Sequence, residues 1–268
     1  MKYGCRAHDL GRFSAAELAA RLRRSGCNAA QLTLPKAILG IDNFKDIRPD
    51  QLEAVRTAFS DVEISVLGCY QDLSSADEEV RLRGVDAICR CLGYAKAVGA
   101  KVVGSESACR DLTHEEKLAA IPRMTDSVLR IVERAAALDA VFALEPVFNH
   151  VFYGSEVLDT LLRTVGDDAH CKVIFDPVNV LTAERVGHQE AHWQEWTQVI
   201  GGRLAAMHIK DARFPAGQPR IDTPLGEGQM DYRPLSAWLR RDYPDIALLR
   251  DEVIPAAFTA DMAFLRTL

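Results

Sequence analysis

The stretch Leu204–Asp211, LAAMHIKD, decides how the chain reads. It is an apolar run that turns polar only at its end, with His208, Lys210 and Asp211. Short apolar runs bounded by loops mark strands buried on both faces of a parallel sheet. Three further runs share the design: Val141–Glu145 (VFALE), Lys172–Asp176 (KVIFD) and Ile246–Glu252 (IALLRDE). A strand that stays apolar until its last residues delivers those residues to the C-terminal edge of the sheet. The four edges read this way carry Glu145, Asp176, His208 and Glu252.

Working outward, Tyr3–His8, Ala29–Leu34, Val62–Cys69 and Lys101–Gly104 predict four earlier strands. Helical patterns fill the gaps. Ser14, with Glu17 three residues on, gives a capping-box signature for a helix over Ala15–Arg24 that Gly26 closes. Pro49 opens a helix running to about Phe59, at a position that needs no N–H. Long helices follow over Ser75–Val98 and His114–Leu138, with apolar residues at helical spacing. Shorter ones follow Ser155 (Leu158–Thr164) and span Gln189–Ile200, Tyr232–Arg241 and Ala256–Leu268. Residues 212–230, rich in Pro and Gly, read as a long loop. Strand and helix thus alternate about eight times over 268 residues. That count predicts a (β/α)8 TIM barrel, one domain over 1–268, with its active site at the C-terminal ends of the strands. A doubly wound open sheet is the alternative, but no G-x-G-x-x-G opens any helix.

The net charge of −6, with 48% hydrophobic and 26% charged residues, suits a globular protein. No block of like charges offers a footprint for nucleic acid, so none is expected as a partner. No apolar run approaches the roughly 18–20 residues that cross a bilayer, and MKYGCRAHDLGRFS lacks the apolar core of a secretory signal. The seven cysteines form no C-x-x-C pair and read as reduced thiols of a cytoplasmic protein. A homo-oligomer is compatible with the sequence.

In a closed barrel the ends of the last four strands lie close together. Three carboxylates and one imidazole there would be strongly unfavourable unless a cation joined them. We therefore expect Glu145, Asp176, His208 and Glu252 to hold one divalent metal. Three oxygens and one nitrogen favour Mn²⁺, with Mg²⁺ or Co²⁺ next; Zn²⁺ would more often recruit further His or Cys. Side chains alternate along a strand, so His208 and Lys210 share a face. Lys210 then reaches a substrate oxygen near the rim, or else pairs at the surface with Asp211. On the last strand the same rule makes Glu252 and Arg250 share a face. Asp251 thus competes with Glu252 for the ligand position, and Glu252 is preferred. Asn179, in FDPVN, is placed over the mouth as a substrate hydrogen-bonding group or a turn former. His8, Glu106 and His150 complete the substrate-binding candidates. Gly226 and Gly228 allow a close backbone approach.

With these residues assembled, the chain resembles the xylose-isomerase-like TIM barrels, which include sugar and sugar phosphate isomerases and epimerases and the endonuclease IV enzymes. The resemblance rests on ALEP at 143–146, FDPVN at 175–179, MHIKD at 207–211, LGEGQMDY at 225–232 and RDEV at 250–253. It implies the Glu, Asp, His, Glu ligand set at 145, 176, 208 and 252. Two positions depart from the sugar epimerases: Asn179 stands where they carry a His, and Val151 where they often carry a second Glu. The implied activity is metal-dependent isomerisation or epimerisation of a carbohydrate through an enediolate, with Glu145 and Glu252 as acid and base. The alternatives are a metal-dependent dehydratase on a keto-cyclitol, an endonuclease IV-like phosphodiesterase and a non-catalytic sugar-binding barrel.

Overall fold

The computed structural model describes residues 1–217 and 219–268, without the side chain of Ala216. Eight parallel strands close into a barrel: β1 (Lys2–Arg6), β2 (Ala29–Leu32), β3 (Glu63–Gly68), β4 (Val102–Ser105), β5 (Phe142–Leu144), β6 (Cys171–Phe175), β7 (Leu204–Ile209) and β10 (Ala247–Arg250). Each pairs with its neighbours in chain order, and β10 closes the ring on β1 through Lys2↔Ala247 to Cys5↔Arg250. Around them lie α1 (Ala15–Arg24), α2 (Leu34–Ala37), α3 (Pro49–Ala58), α4 (Glu78–Val98), α5 (His114–Leu138), α6 (Ser155–Val165), α7 (Pro177–Val180), α8 (Gln189–Ile200), α9 (Arg233–Asp242) and α10 (Phe258–Leu265). The fold is the expected (β/α)8 TIM barrel. Among the described residues no helix is long and apolar enough to cross a membrane, and the seven cysteines are free thiols.

Local signals set most helix ends. Ser14 Oγ accepts the Glu17 N–H at 3.2 Å and opens α1. Thr113 and Glu116 cap each other's backbone N–H at the start of α5. α4 starts three residues later than the sequence suggested. Asp77, not Ser75, is its cap, because the Asp77 carboxylate reaches the N–H groups of Glu79 and Val80. At its other end Gly99 takes the left-handed conformation that stops the helix. The Trp-bearing α8 packs outside β6, where Trp193 and Trp196 meet Phe175 at ring separations of 6.3 and 6.1 Å. Such aromatic pairs contribute about 0.5–1.5 kcal/mol each beyond their buried area.

The barrel interior is narrow and filled by Ala29, Val66, Val102, Ala143, Ile174, Ala206, Ala247 and Leu249. Gly104 belongs to the same layer. A Cβ there would come within 2.6 Å of Ile174 and 2.7 Å of Val66, so only glycine lets the layer close. Strand alternation then dictates what comes next at the C-terminal mouth. Two residues beyond Ala29, Ala143, Ile174, Ala206 and Leu249 lie Gln31, Glu145, Asp176, His208 and Asp251.

Where the sequence predicted a loop, the described residues on either side of 218 form a hairpin. β8 (Asp211–Arg213) and β9 (Arg220–Thr223) form an antiparallel pair beside the mouth. The buried Asp211 carboxylate accepts the N–H groups of Ala212, Gly226, Gly228 and Met230 at 2.8–3.2 Å. This explains the glycines of LGEGQMDY: a Cβ on Gly228 would lie 2.0 Å from Asp211 Oδ1. Asp211 is thus committed to backbone and makes no pair with Lys210.

Candidate metal centre and substrate cavity

Glu145, Asp176 and His208 come together at the mouth, each buried, with ligand atoms all within 4.8 Å of one another. Each reaches this point from a different strand end. Asp176 also caps α7, its Oδ1 accepting the N–H of Val178 at 2.9 Å, while Pro177 turns the chain out of the strand. That turn brings Asn179 over the site, where its Nδ2 donates to Glu145 Oε1 at 2.8 Å.

Lys210, two residues beyond His208, points into the mouth and is buried. Its Nζ lies 3.0 Å from Asp176 Oδ2, 3.2 Å from Asp251 Oδ2 and 2.8 Å from Asn179 Oδ1. Burial alone would lower its pKa, but Asp176 and Asp251 outweigh that and keep it firmly an ammonium. Burial likewise pushes the Asp176 carboxyl up, against the pull of Lys210. Asp251 is held well below the usual carboxylate range, because Lys210, His208 and Arg6 together overcome its burial.

The last strand resolves the competition between Asp251 and Glu252. Leu249 faces the interior, Arg250 faces outward and Asp251 faces in again. Arg250 is buried on the helix side, its Nε 2.7 Å from Asp261 Oδ2 on α10. With Arg250 outside, the inward position falls to Asp251, whose Oδ1 is 2.8 Å from Arg6 Nη1. Glu252 departs from the expected ligand position. The chain turns there with φ 54°, and its side chain stands on the rim, 42% exposed and 2.9 Å from Arg6 Nη2. The structure does not bring Glu252 to the other three.

His208 is flanked by acceptors on both ring nitrogens, Glu145 Oε1 at 3.2 Å from Nδ1 and Gln31 Oε1 at 2.5 Å from Nε2. Burial pulls its pKa down, yet the Glu145 carboxylate lifts it to about 9, so the ring is an imidazolium. The reciprocal attraction, working against burial, holds Glu145 below the usual range. Gln31 Nε2 donates to Tyr70 Oη at 2.9 Å, and Tyr70 Oη donates to Glu145 Oε2 at 3.1 Å.

A cavity of about 190 Å³ opens on this network, and Arg6, His8, Glu106, Glu145, His208 and Asp251 are among its walls. Burial, then the Glu145 charge, pushes the Glu106 carboxyl up to about 8. Burial and the Arg6 and Lys36 charges lower His8 to about 4, so it is neutral here. His150 is buried behind Glu106, its Nδ1 3.6 Å from Glu106 Oε2. The sequence reading took His8 and Glu106 from the first and fourth strand ends but missed Arg6, Gln31 and Tyr70. Arg6 ends β1, Gln31 lies within β2 two residues beyond the interior Ala29, and Tyr70 follows the end of β3, so strand alternation rather than a polar terminus points to Gln31.

The residues present fit a divalent ion. Two carboxylates and an imidazole converge. Asp176 Oδ2 and Asp251 Oδ1 make ion pairs but no hydrogen bond among the described residues. Glu145, Asp176 and His208 would hold the ion, with Asp251 beside them and Lys210 as its competitor.

A family model described as the xylose isomerase-like TIM barrel matches residues 19–268. The chain belongs to that family. A search by sequence among curated proteins finds no significant match. Solved structures that the fold resembles include 3-keto-D-glucoside 4-epimerase from E. coli, 18% identical with a TM-score of 0.75 over 100% of both chains. D-psicose 3-epimerase from Clostridium cellulolyticum is 13% identical, with a TM-score of 0.74 over 100% of this chain and 98% of that one. Endonuclease IV from Thermus thermophilus is 15% identical, with a TM-score of 0.73 over the same shares. At these identities the likeness within the family is one of fold.

Proposed function

We propose that the protein is a metal-dependent isomerase or epimerase of a keto-sugar or sugar phosphate, acting by proton transfer next to a carbonyl. The observation that carries this reading is the convergence of Glu145, Asp176 and His208 in one buried group at the barrel mouth. The sugar epimerases among the structural neighbours agree with it. A divalent ion, Mn²⁺ by preference, would polarise the substrate carbonyl and stabilise the enediolate. The remaining steps belong to the chain. Glu145, ionised and oriented by Tyr70 and Asn179, takes the proton from carbon. Glu106 faces the same cavity with its carboxyl lifted to about 8, and returns a proton to carbon. Two carboxyls pushed in opposite directions in one site are the signature of an acid and base pair. Because Glu252 is turned to the rim, it is not given that role. Lys210 neutralises Asp176 and Asp251, and Asn179 orients Glu145.

The test is solvent deuterium incorporation into a panel of keto-sugars and their phosphates, with EDTA and with Mn²⁺ restored. Exchange should require the metal and fall by about 10²–10⁴-fold in Glu145→Gln. Absence of exchange from every carbohydrate, with no metal bound by the purified protein, would overturn the reading.

A further inference from the structure

Four side chains at the mouth close a ring of hydrogen bonds. His208 on β7 lies between Glu145, which follows β5, and Gln31 on β2, and Tyr70, after β3, joins Gln31 to Glu145. Strands β2 and β7 are not neighbours in the barrel, so the contact of Gln31 with His208 spans its mouth. The direction of each bond follows from what its groups can do. A carboxylate only accepts, so the single Tyr70 hydroxyl proton goes to Glu145 Oε2 at 3.1 Å. Tyr70 Oη then accepts from the Gln31 amide, so the amide atom facing it at 2.9 Å is Nε2. The Gln31 oxygen is thereby turned to His208 Nε2, 2.5 Å away. An amide oxygen only accepts, so His208 Nε2 carries a proton. To ligate a divalent ion the imidazole must bare one nitrogen, and this arrangement leaves only Nδ1, which faces Glu145 Oε1 at 3.2 Å.

Resting on the metal-dependent reading above, we infer that Gln31 is a positioning residue for the ion. Held in one orientation by Tyr70, it keeps the His208 proton on Nε2 and presents Nδ1 as the ligand atom. Metal-bound histidines generally donate their other N–H to a fixed acceptor, which sets the tautomer and the orientation of the ring. Here that acceptor is a neutral amide rather than a carboxylate, so the ring is fixed without adding a negative charge to a mouth that already holds Glu145, Asp176 and Asp251.

The experiment pairs imidazole NMR of the full chain, its histidines ¹⁵N-labelled and Zn²⁺ added as a diamagnetic probe, with calorimetric titration of Mn²⁺. The His208 ring is assigned by its loss in His208→Gln. In the parent, Nδ1 should bind Zn²⁺, and Nε2 should carry a proton that exchanges slowly with water. Gln31→Leu, which offers no acceptor, should speed that exchange and weaken Mn²⁺ binding on the order of 10–100-fold. Gln31→Glu keeps an oxygen for the Nε2–H, so it should retain slow exchange and bind Mn²⁺ at least as tightly as the parent. Zn²⁺ on Nε2 of the parent would overturn the inference whatever the variants do. Unchanged Mn²⁺ affinity in Gln31→Leu, or equal weakening by Leu and Glu, would overturn it too, by reducing Gln31 to a packing role. In each of these cases an ion still binds and the metal-dependent reading stands. If the parent binds neither ion, both fall.

Discussion

Replacing Lys210 by Met tests the electrostatics of the mouth directly. The variant keeps most of the side-chain volume and removes an ammonium 3.0 Å from Asp176 and 3.2 Å from Asp251. Both carboxylates are buried, Asp176 completely, so water cannot replace the lost partner. Breaking a buried ion pair on one side costs about 3–5 kcal/mol, against a typical total stability of about 5–15 kcal/mol. Urea unfolding at pH 7 in EDTA should show a loss of that size. The loss should shrink as the pH falls, because the burial-raised Asp176 carboxyl takes up a proton and no longer needs a counter-charge. Added Mn²⁺ should restore stability by about 2.7 kcal/mol at a hundred times its dissociation constant. It should also bind the variant more tightly than the parent, in which Lys210 competes for Asp176. If Lys210→Met unfolds at the parent's urea concentration and binds Mn²⁺ no better, Lys210 is not the resident cation of this site.

The pH dependence of the metal-free protein follows from His208. Its folded pKa, raised to about 9, gives stability that is fully present below the unfolded value of 6.5 and lost as pH rises through 9. The amount is on the order of 3 kcal/mol. Urea midpoints between pH 6 and 10 should therefore fall more steeply for the parent than for His208→Gln, and parallel slopes would contradict the assignment. Since the ring must lose its proton to ligate, Mn²⁺ affinity should rise over the same window. At the hairpin, Asp211→Ala leaves four backbone N–H groups without their shared acceptor. A charge-assisted bond contributes about 1.5–3 kcal/mol. Amide exchange at Gly226, Gly228 and Met230 should accelerate well over tenfold while that of β1–β6 is unchanged. Intact protection there would show that the anchor is dispensable.

The barrel and the grouping of three of the four candidate residues were legible because both rest on strand alternation. Apolar runs with one acidic or imidazole residue at the end fix Glu145, Asp176 and His208 with no further information. The fourth position was not legible. RDE offers three polar residues in a row, and the inward one is set by where Arg250 finds a partner. That partner is Asp261, eleven residues on and in another element, so no local pattern contains it. The resident cations were missed for a related reason. Carboxylates counted alone imply an external ion, whereas Lys210, Arg6 and His208 are already interleaved among them. The β8–β9 hairpin was hidden because it is held by the buried Asp211 carboxylate and by bonds such as Phe214 N–H to Gln229 Oε1 rather than by an apolar repeat.

The adjacency of Lys210 and Asp211 divides labour between neighbours. One side chain turns inward to the chemistry, and the next turns away and fastens the following loop. Asp211 therefore pins the foot of the β8–β9 hairpin to the returning chain at Gly226, Gly228 and Met230. The hairpin is thus fastened by a carboxylate that stands apart from the reacting groups, whose positions are set by the strands beneath.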